Sequence, residues 1–133
     1  SLALNKKVTE KDDWDLSFTS TTIATKGTAQ LVEGVFSSYV TAPTTGYSLT
    51  TIAGNGTWYT YNPTTHIISP IAGKIILVKT SSGKYAKIEM LSYYKGNPTI
   101  KSTSMYNDSD FNEKSRYYTF NYVYQPDGST DLK

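Results

Sequence analysis

The sequence predicts a single all-β domain, mainly antiparallel, over residues 1–133. Three observations support this fold class: the composition, an apolar–polar alternation of period two, and turn residues between the alternating runs. The 133 residues suffice for one domain with a core and leave no room for a second. Twelve tyrosines raise the aromatic content to 14%, and Tyr, Thr and Val suit the half-buried surface of a sheet. The composition therefore favours strands.

The alternation indicates where several of the strands lie. Apolar side chains recur at every second position in residues 14–18, 86–90 and 118–124, as expected for strands with one face in the core. In the second run, Lys87 and Glu89 are predicted to lie on the wet face. Residues 75–78 read Ile-Ile-Leu-Val, which predicts a strand buried on both faces. We therefore expect this run to be a buried core strand.

Turn residues separate the predicted strands. Asn55-Gly56 predicts a tight hairpin, and Ser82-Gly83 predicts another between the run at 75–79 and the run at 85–91. Asn62-Pro63 predicts a turn after a strand at 58–61, because the residue before proline avoids the helical region. Residues 95–114 are polar and aperiodic, so we expect a long loop between the last two strands, of the kind that is often functional.

Several classes of function are excluded or disfavoured by composition. The absence of cysteine excludes disulfides, Cys-ligated zinc and Cys-held iron–sulfur clusters. The net charge is only +2 and the basic residues are scattered, so no nucleic-acid partner is expected. The sequence contains no Gly-x-Ser-x-Gly turn for a serine nucleophile. We therefore predict a binding protein, not an enzyme.

Two side chains are candidate ligands for a metal centre. His66 is the only histidine, and it suits an axial haem ligand, a general base or an ordinary surface turn. Met105 lies in the polar loop, where its thioether suits either an apolar anchor or a ligand for haem iron. Residues 108–112 alternate oxygen side chains as calcium loops do, but Glu113 replaces the turn glycine and Thr119 the bidentate glutamate. A solvated loop is therefore preferred there.

The order of several short segments carries a family resemblance. They read Trp-Asp-Leu-Ser-Phe at 14–18, Thr-Ala-Pro-Thr-Thr-Gly-Tyr at 41–47, Trp-Tyr-Thr-Tyr at 58–61, Gly-Lys-Tyr-Ala-Lys-Ile at 83–88, Ser-Tyr-Tyr at 92–94 and Tyr-Thr-Phe-Asn-Tyr-Val-Tyr-Gln-Pro-Asp-Gly at 118–128. In this order they resemble the HmuY-type haem-binding proteins of the Bacteroidetes. The resemblance implies an all-β fold like a cupped hand around haem. It also implies an outer-membrane lipoprotein or secreted haemophore, with any signal sequence preceding Ser1, that passes haem to a TonB-dependent outer-membrane receptor.

The haem ligands implied by the resemblance are only partly matched. The family pattern includes two histidines, one between the Gly-Tyr turn and the Trp strand and one just after that strand. Residues 48–57 fill the first interval without His or Met, and His66 lies several residues beyond the second position. Hairpin parity places the loops at 62–69 and 95–114 at one end, which makes His66 and Met105 the candidate axial pair. The alternatives are an HmuY-like module that binds another ligand or a surface partner, and a carbohydrate-binding module with exposed tyrosines.

Overall fold

The computed structural model describes residues 1–9, 11–99 and 113–133. The described part forms eight strands and one short 3-10 turn: β1 (Leu16–Thr19), β2 (Thr22–Glu33), the 3-10 turn (Phe36–Ser38), β3 (Leu49–Ile52), β4 (Tyr59–Tyr61), β5 (Ile68–Pro70), β6 (Lys74–Lys79), β7 (Tyr85–Tyr94) and β8 (Ser115–Gln125). All strand pairs are antiparallel. The predicted all-β, single-domain fold is confirmed. Within the same ranges, no helix has the length and apolarity to span a bilayer.

The long strand β2 connects the parts of the sheet, because its first and second halves pair with different strands. β1 pairs with residues 22–25 of β2, and β6 pairs with residues 28–33. Ala24 bridges β1 and β3, and Ala29 bridges β3 and β6. Since each residue pairs on two sides, β1 and β6 share one edge of β2 and β3 occupies the other. The sheet continues from β6 to β7 and β8, while β4 and β5 form a separate hairpin.

β2 is irregular around Gly27, between the segment that pairs with β1 and the segment that pairs with β6, and we call this point the bend. The register of β2 against β3 shifts between Ala24 and Ala29, which marks an irregularity in the strand. A Cβ atom at Gly27 would lie 2.8 Å from main-chain carbons of Thr80 and even closer to the carbonyl oxygen of Lys79. Only glycine therefore allows the end of β6 to approach the bend.

The main core lies between the β1 end of the sheet and the strands β7 and β8. The Phe18 ring lies 4.8 Å from the Tyr118 ring and 5.3 Å from the Phe120 ring, measured between centroids. The Tyr118 hydroxyl donates to the carbonyl oxygen of Ser20 at 2.7 Å. These contacts join the two sheet edges across the core, so the sheet is curled. The predicted inward row of residues 118, 120, 122 and 124 packs on this core, which confirms that alternation.

The predicted strand with two buried faces is confirmed as β6. Ile76 and Val78 belong to the main core, and both are almost completely buried. Ile75 and Leu77 point to the opposite face, into a second cluster with these residues: Ala42, Tyr85 and Leu132. β6 is apolar throughout because each of its faces is covered by a separate cluster.

Two of the three predicted turns are confirmed, and one hairpin is wrong. Ser82-Gly83 connects β6 to β7, with Gly83 at φ +79°, and Asn62-Pro63 begins the turn between β4 and β5. Asn55-Gly56 does not join a pair of hydrogen-bonded strands, since β3 pairs with β2 and β4 pairs with β5. β3 forms its hydrogen bonds with the edge of β2, and β4 belongs to the separate hairpin. The turn at 55–56 therefore links two different sheets.

The wet face predicted for Lys87 is also wrong. The side chain is 2% exposed, and its Nζ donates to the carbonyl oxygens of Phe36 at 2.7 Å and Tyr39 at 2.9 Å. Nζ also lies 4.6 Å from the centroid of the Phe36 ring. The 3-10 turn covers this position, and desolvation there lowers the pKa of Lys87. Lys87 is thus buried, and its two hydrogen bonds connect β7 to the 3-10 turn.

We expect Gly27→Ala to destabilise the domain by about 1–3 kcal/mol or more, because the methyl group would overlap backbone atoms that cannot move independently. Gly34→Ala is the matched control, since its Cβ would meet a side-chain atom of the Tyr39 ring at 3.3 Å. Chemical denaturation of both variants measures the difference. Equal losses of stability would show that the bend tolerates a side chain.

We expect Lys87→Met to lower the free energy of unfolding by about 1–3 kcal/mol, because two carbonyl groups lose a charged donor. Lys74→Met on the neighbouring strand is the control: Lys74 pairs with the exposed carboxylate of Glu33, and surface ion pairs contribute little. Denaturant unfolding curves should show the larger loss for Lys87→Met. The reverse order would contradict a structural role for the buried ammonium group.

Candidate functional site

The hairpin of β4 and β5 holds His66 in its turn and is fixed to the core on both sides. Trp58, just before β4, is 1% exposed, and its Nε1 donates to the carbonyl oxygen of Thr21 at 2.8 Å. On the other strand, the backbone N–H of Ile68 donates to the Tyr94 hydroxyl at 3.0 Å. Burial raises the pKa of Tyr94, so this hydroxyl stays neutral at physiological pH. The hairpin is therefore attached to the core through both of its strands.

The turn itself is built around Asn62. The Asn62 side-chain oxygen accepts the N–H groups of Thr64 at 2.9 Å and Thr65 at 3.1 Å. The Asn62 carbonyl oxygen accepts the N–H of His66 at 2.7 Å. His66 has φ +58°, in the left-handed region that few residues other than glycine adopt. The side chains of Thr65 and Ile67 are buried, whereas that of His66 is exposed.

Tyr61 orients the imidazole ring of His66. The Tyr61 oxygen lies 2.5 Å from Nδ1 of His66, and the two rings meet edge-on, with centroids 5.8 Å apart at 77°. A phenol can donate or accept a hydrogen bond. When Nδ1 carries the hydrogen and the phenol accepts it, the lone pair of the imidazole lies on Nε2. That tautomer is the one in which Nε2 can coordinate a metal, and a hydrogen bond at the other nitrogen is the usual support of a metal-binding histidine.

Sequence reasoning missed the role of Tyr61. The residue was recognised only as part of the strand at 58–61. Tyr61 pairs with Ile68, and this is the last residue pair of the hairpin before the turn that contains His66. A tyrosine and a histidine flanking an Asn-Pro turn are the signal from which this contact could have been found.

Met105 and the calcium-like residues 108–112 lie outside the described residues. The described ends of the loop do show where it starts and finishes: the N–H of Lys95 donates to the carbonyl oxygen of Lys114 at 2.8 Å. Tyr94, one residue earlier, contacts Ile68 of the His66 hairpin. The base of the loop is thus next to this hairpin, as strand parity predicted. The pairing of His66 with Met105 stays a prediction.

The described residues do not by themselves assemble a set of protein ligands for a metal ion. In residues 1–9, 11–99 and 113–133, no group of three or more His, Asp or Glu side chains is placed to hold a metal ion. A protein-built zinc or iron site needs three or four such ligands. One oriented imidazole is the donor that a haem iron accepts at an axial position.

Neither a protein-family model nor a curated protein matches the chain. The resemblance to HmuY-type proteins therefore rests on the sequence segments alone and stays a prediction.

Proposed function

We propose that the protein binds haem without catalysing a reaction, and that His66 is an axial ligand of the haem iron. The observation that carries this proposal is the contact between Tyr61 and Nδ1 of His66, on a hairpin anchored in the core. An exposed, oriented imidazole on a rigid support is a suitable donor for an incoming ligand. The strained φ of His66 is consistent with a functional position, because strain of this kind concentrates at binding sites.

Each residue of the turn has a defined part in the proposed site. The porphyrin supplies four ligands of its own iron, so the protein has to provide only axial donors. Asn62 holds the turn through four hydrogen bonds, the fourth from its own N–H to the carbonyl oxygen of Ile67. In the proposed site Tyr61 accepts the Nδ1 hydrogen, so that the lone pair of the imidazole lies on Nε2. We propose Met105 as the second axial donor, a thioether that favours ferrous iron.

The proposed biological role is haem acquisition at the cell surface. The HmuY resemblance is the support for this setting, in which a lipoprotein or secreted protein transfers haem to a TonB-dependent receptor. An axial donor on an exposed turn suits transfer, because a partner can approach the iron without unfolding the domain. In this role affinity and release matter, and no reactive group is required.

We expect haemin titration of the wild type to give a shifted Soret band, with His66→Asn causing the largest loss of affinity. Asparagine removes the imidazole but tolerates the left-handed backbone conformation, whereas alanine would add strain. Met105→Ala should retain binding with a changed spectrum. Tyr61→Phe should weaken binding about 10- to 100-fold, as loss of a supporting hydrogen bond does at other metal-binding histidines. Absorption spectra under oxidising and reducing conditions measure these effects.

Tyr117→Phe is the matched control for Tyr61→Phe, because Tyr117 is also an exposed strand tyrosine and plays no part in the proposed site. All variants should keep the melting temperature of the ligand-free wild type to within a few degrees. Wild-type spectra and affinity in His66→Asn would reject His66 as the ligand. A wild type with no Soret shift in either oxidation state would reject haem binding and favour an HmuY-like module for another ligand.

A further inference from the structure

A second feature of the molecule lies away from the His66 hairpin. It is an open cleft of about 920 Å³ between the N-terminal residues 1–9, the start of β1 and the inward face of β8. Its lining residues include neither His66 nor Tyr61. The volume is within the range of small-molecule sites, about 300–1,000 Å³. We call this feature the β1–β8 cleft.

The floor of the β1–β8 cleft is aromatic. The rings of Phe18 and Phe120 stack with their centroids 5.3 Å apart and an interplanar angle of 25°. The Tyr118 ring also packs against Phe18, with centroids 4.8 Å apart at an angle of 32°, and Trp14 and Tyr122 line the same space. Flat, offset ring contacts of this kind extend readily to a further aromatic ring. The floor therefore favours a planar apolar ligand.

The N-terminal segment forms one wall of the cleft. Hydrogen bonds of Leu2 connect this segment to the residue before β1 and to β8. The backbone N–H of Leu2 donates to Oδ2 of Asp15 at 2.6 Å, and the Leu2 carbonyl oxygen accepts the Tyr122 hydroxyl at 3.1 Å. Leu2 itself is 6% exposed. The Asp15 carboxylate is thus hydrogen-bonded to the N-terminal segment, and Asp15 is not among the lining residues of the cleft.

The charged residues of the cleft are all cationic. Lys6, Lys7 and Arg116 line it, and its described lining residues include no Asp or Glu. Arg116 lines the same cleft as Tyr118 and Phe120, which pack on the main core. Within the described chain, Arg116 forms no ion pair with a carboxylate. A guanidinium group in this position is suited to a carboxylate, which it can bind through two parallel hydrogen bonds.

The backbone at Arg116 is strained in a way that supports a binding role. Arg116 has φ +66°, and the register between β7 and β8 shifts from the Ser92–Thr119 pair to the Tyr94–Ser115 pair. β8 therefore carries extra residues opposite β7 at this point, as in a β-bulge, which re-aims side chains near binding sites. Positive φ in a non-glycine residue costs free energy, and such residues cluster at binding sites.

We propose that the β1–β8 cleft binds an aromatic carboxylate, with its ring on the Phe18–Phe120 floor and its carboxylate at Arg116. Lys6 and Lys7 add attraction for the anion at the rim. The proposal does not depend on haem binding, since the two sites share no described residue. It assigns a second ligand, of a different chemical class, to the same domain.

The test uses 1-anilinonaphthalene-8-sulfonate, a fluorescent aromatic anion, as the probe for the cleft. We expect saturable binding at one site per chain and displacement of the probe by 2-naphthoate. Arg116→Asn should weaken probe binding at least about tenfold, because a charge-assisted hydrogen bond is lost, while asparagine still tolerates the positive φ. Lys133→Gln, which removes an exposed cation outside the cleft, should change the affinity less than about twofold.

A neutral probe separates the charge effect from misfolding. N-phenyl-1-naphthylamine lacks the sulfonate, so its affinity should be the same for the wild type and Arg116→Asn. Equal affinity of the two proteins for the anionic probe would overturn the assignment of Arg116. More effective displacement by laurate than by 2-naphthoate would overturn the aromatic class of ligand. His66→Asn should bind the anionic probe as the wild type does, so that failure of this site and failure of the haem site are distinguishable.

Discussion

The close approach of β6 to the bend of β2 at Gly27 is the constraint on which the rest of the structure depends. It lets one strand pair with β1 along its first half and with β6 along its second half. The curled sheet then brings Phe18 of β1 against Tyr118 and Phe120 of β8. The core and the β1–β8 cleft both result from this curl, because a flat sheet would leave its two edge strands far apart.

The His66 hairpin shows how the same core supports an exposed functional group. Trp58 and Ile68 attach the hairpin to residues outside it, so the turn does not depend on its own few hydrogen bonds for its position. His66 can then occupy an unfavourable backbone conformation and remain exposed. The free energy that holds the imidazole in place comes from the buried side chains on either side of it.

Two basic side chains on neighbouring strands, Lys87 and Arg116, differ in burial, and we assign a structural role to the first and a binding role to the second. Lys87 of β7 is buried, and two carbonyl oxygens and an aromatic ring satisfy its charge. Arg116 of β8 is exposed at the rim of a cleft that has aromatic walls and, among its described residues, no carboxylate. The first charge is internally compensated and serves the fold. The second is available to an anion, which is why the binding proposal rests on it.

Local patterns in the sequence determined the fold class, the strand β6 and the hairpin at 82–83, because alternation and turn chemistry act between residues that are close in the chain. Only the tertiary structure decided the partner of β3 and the burial of Lys87. Each of these depends on which distant surface covers a given face or edge: β2 offers an edge to β3, and the 3-10 turn covers Lys87. The β1–β8 cleft also depends on the tertiary structure. It forms between strands about 100 residues apart in the chain, and the local alternation of apolar residues does not predict which distant strands come together.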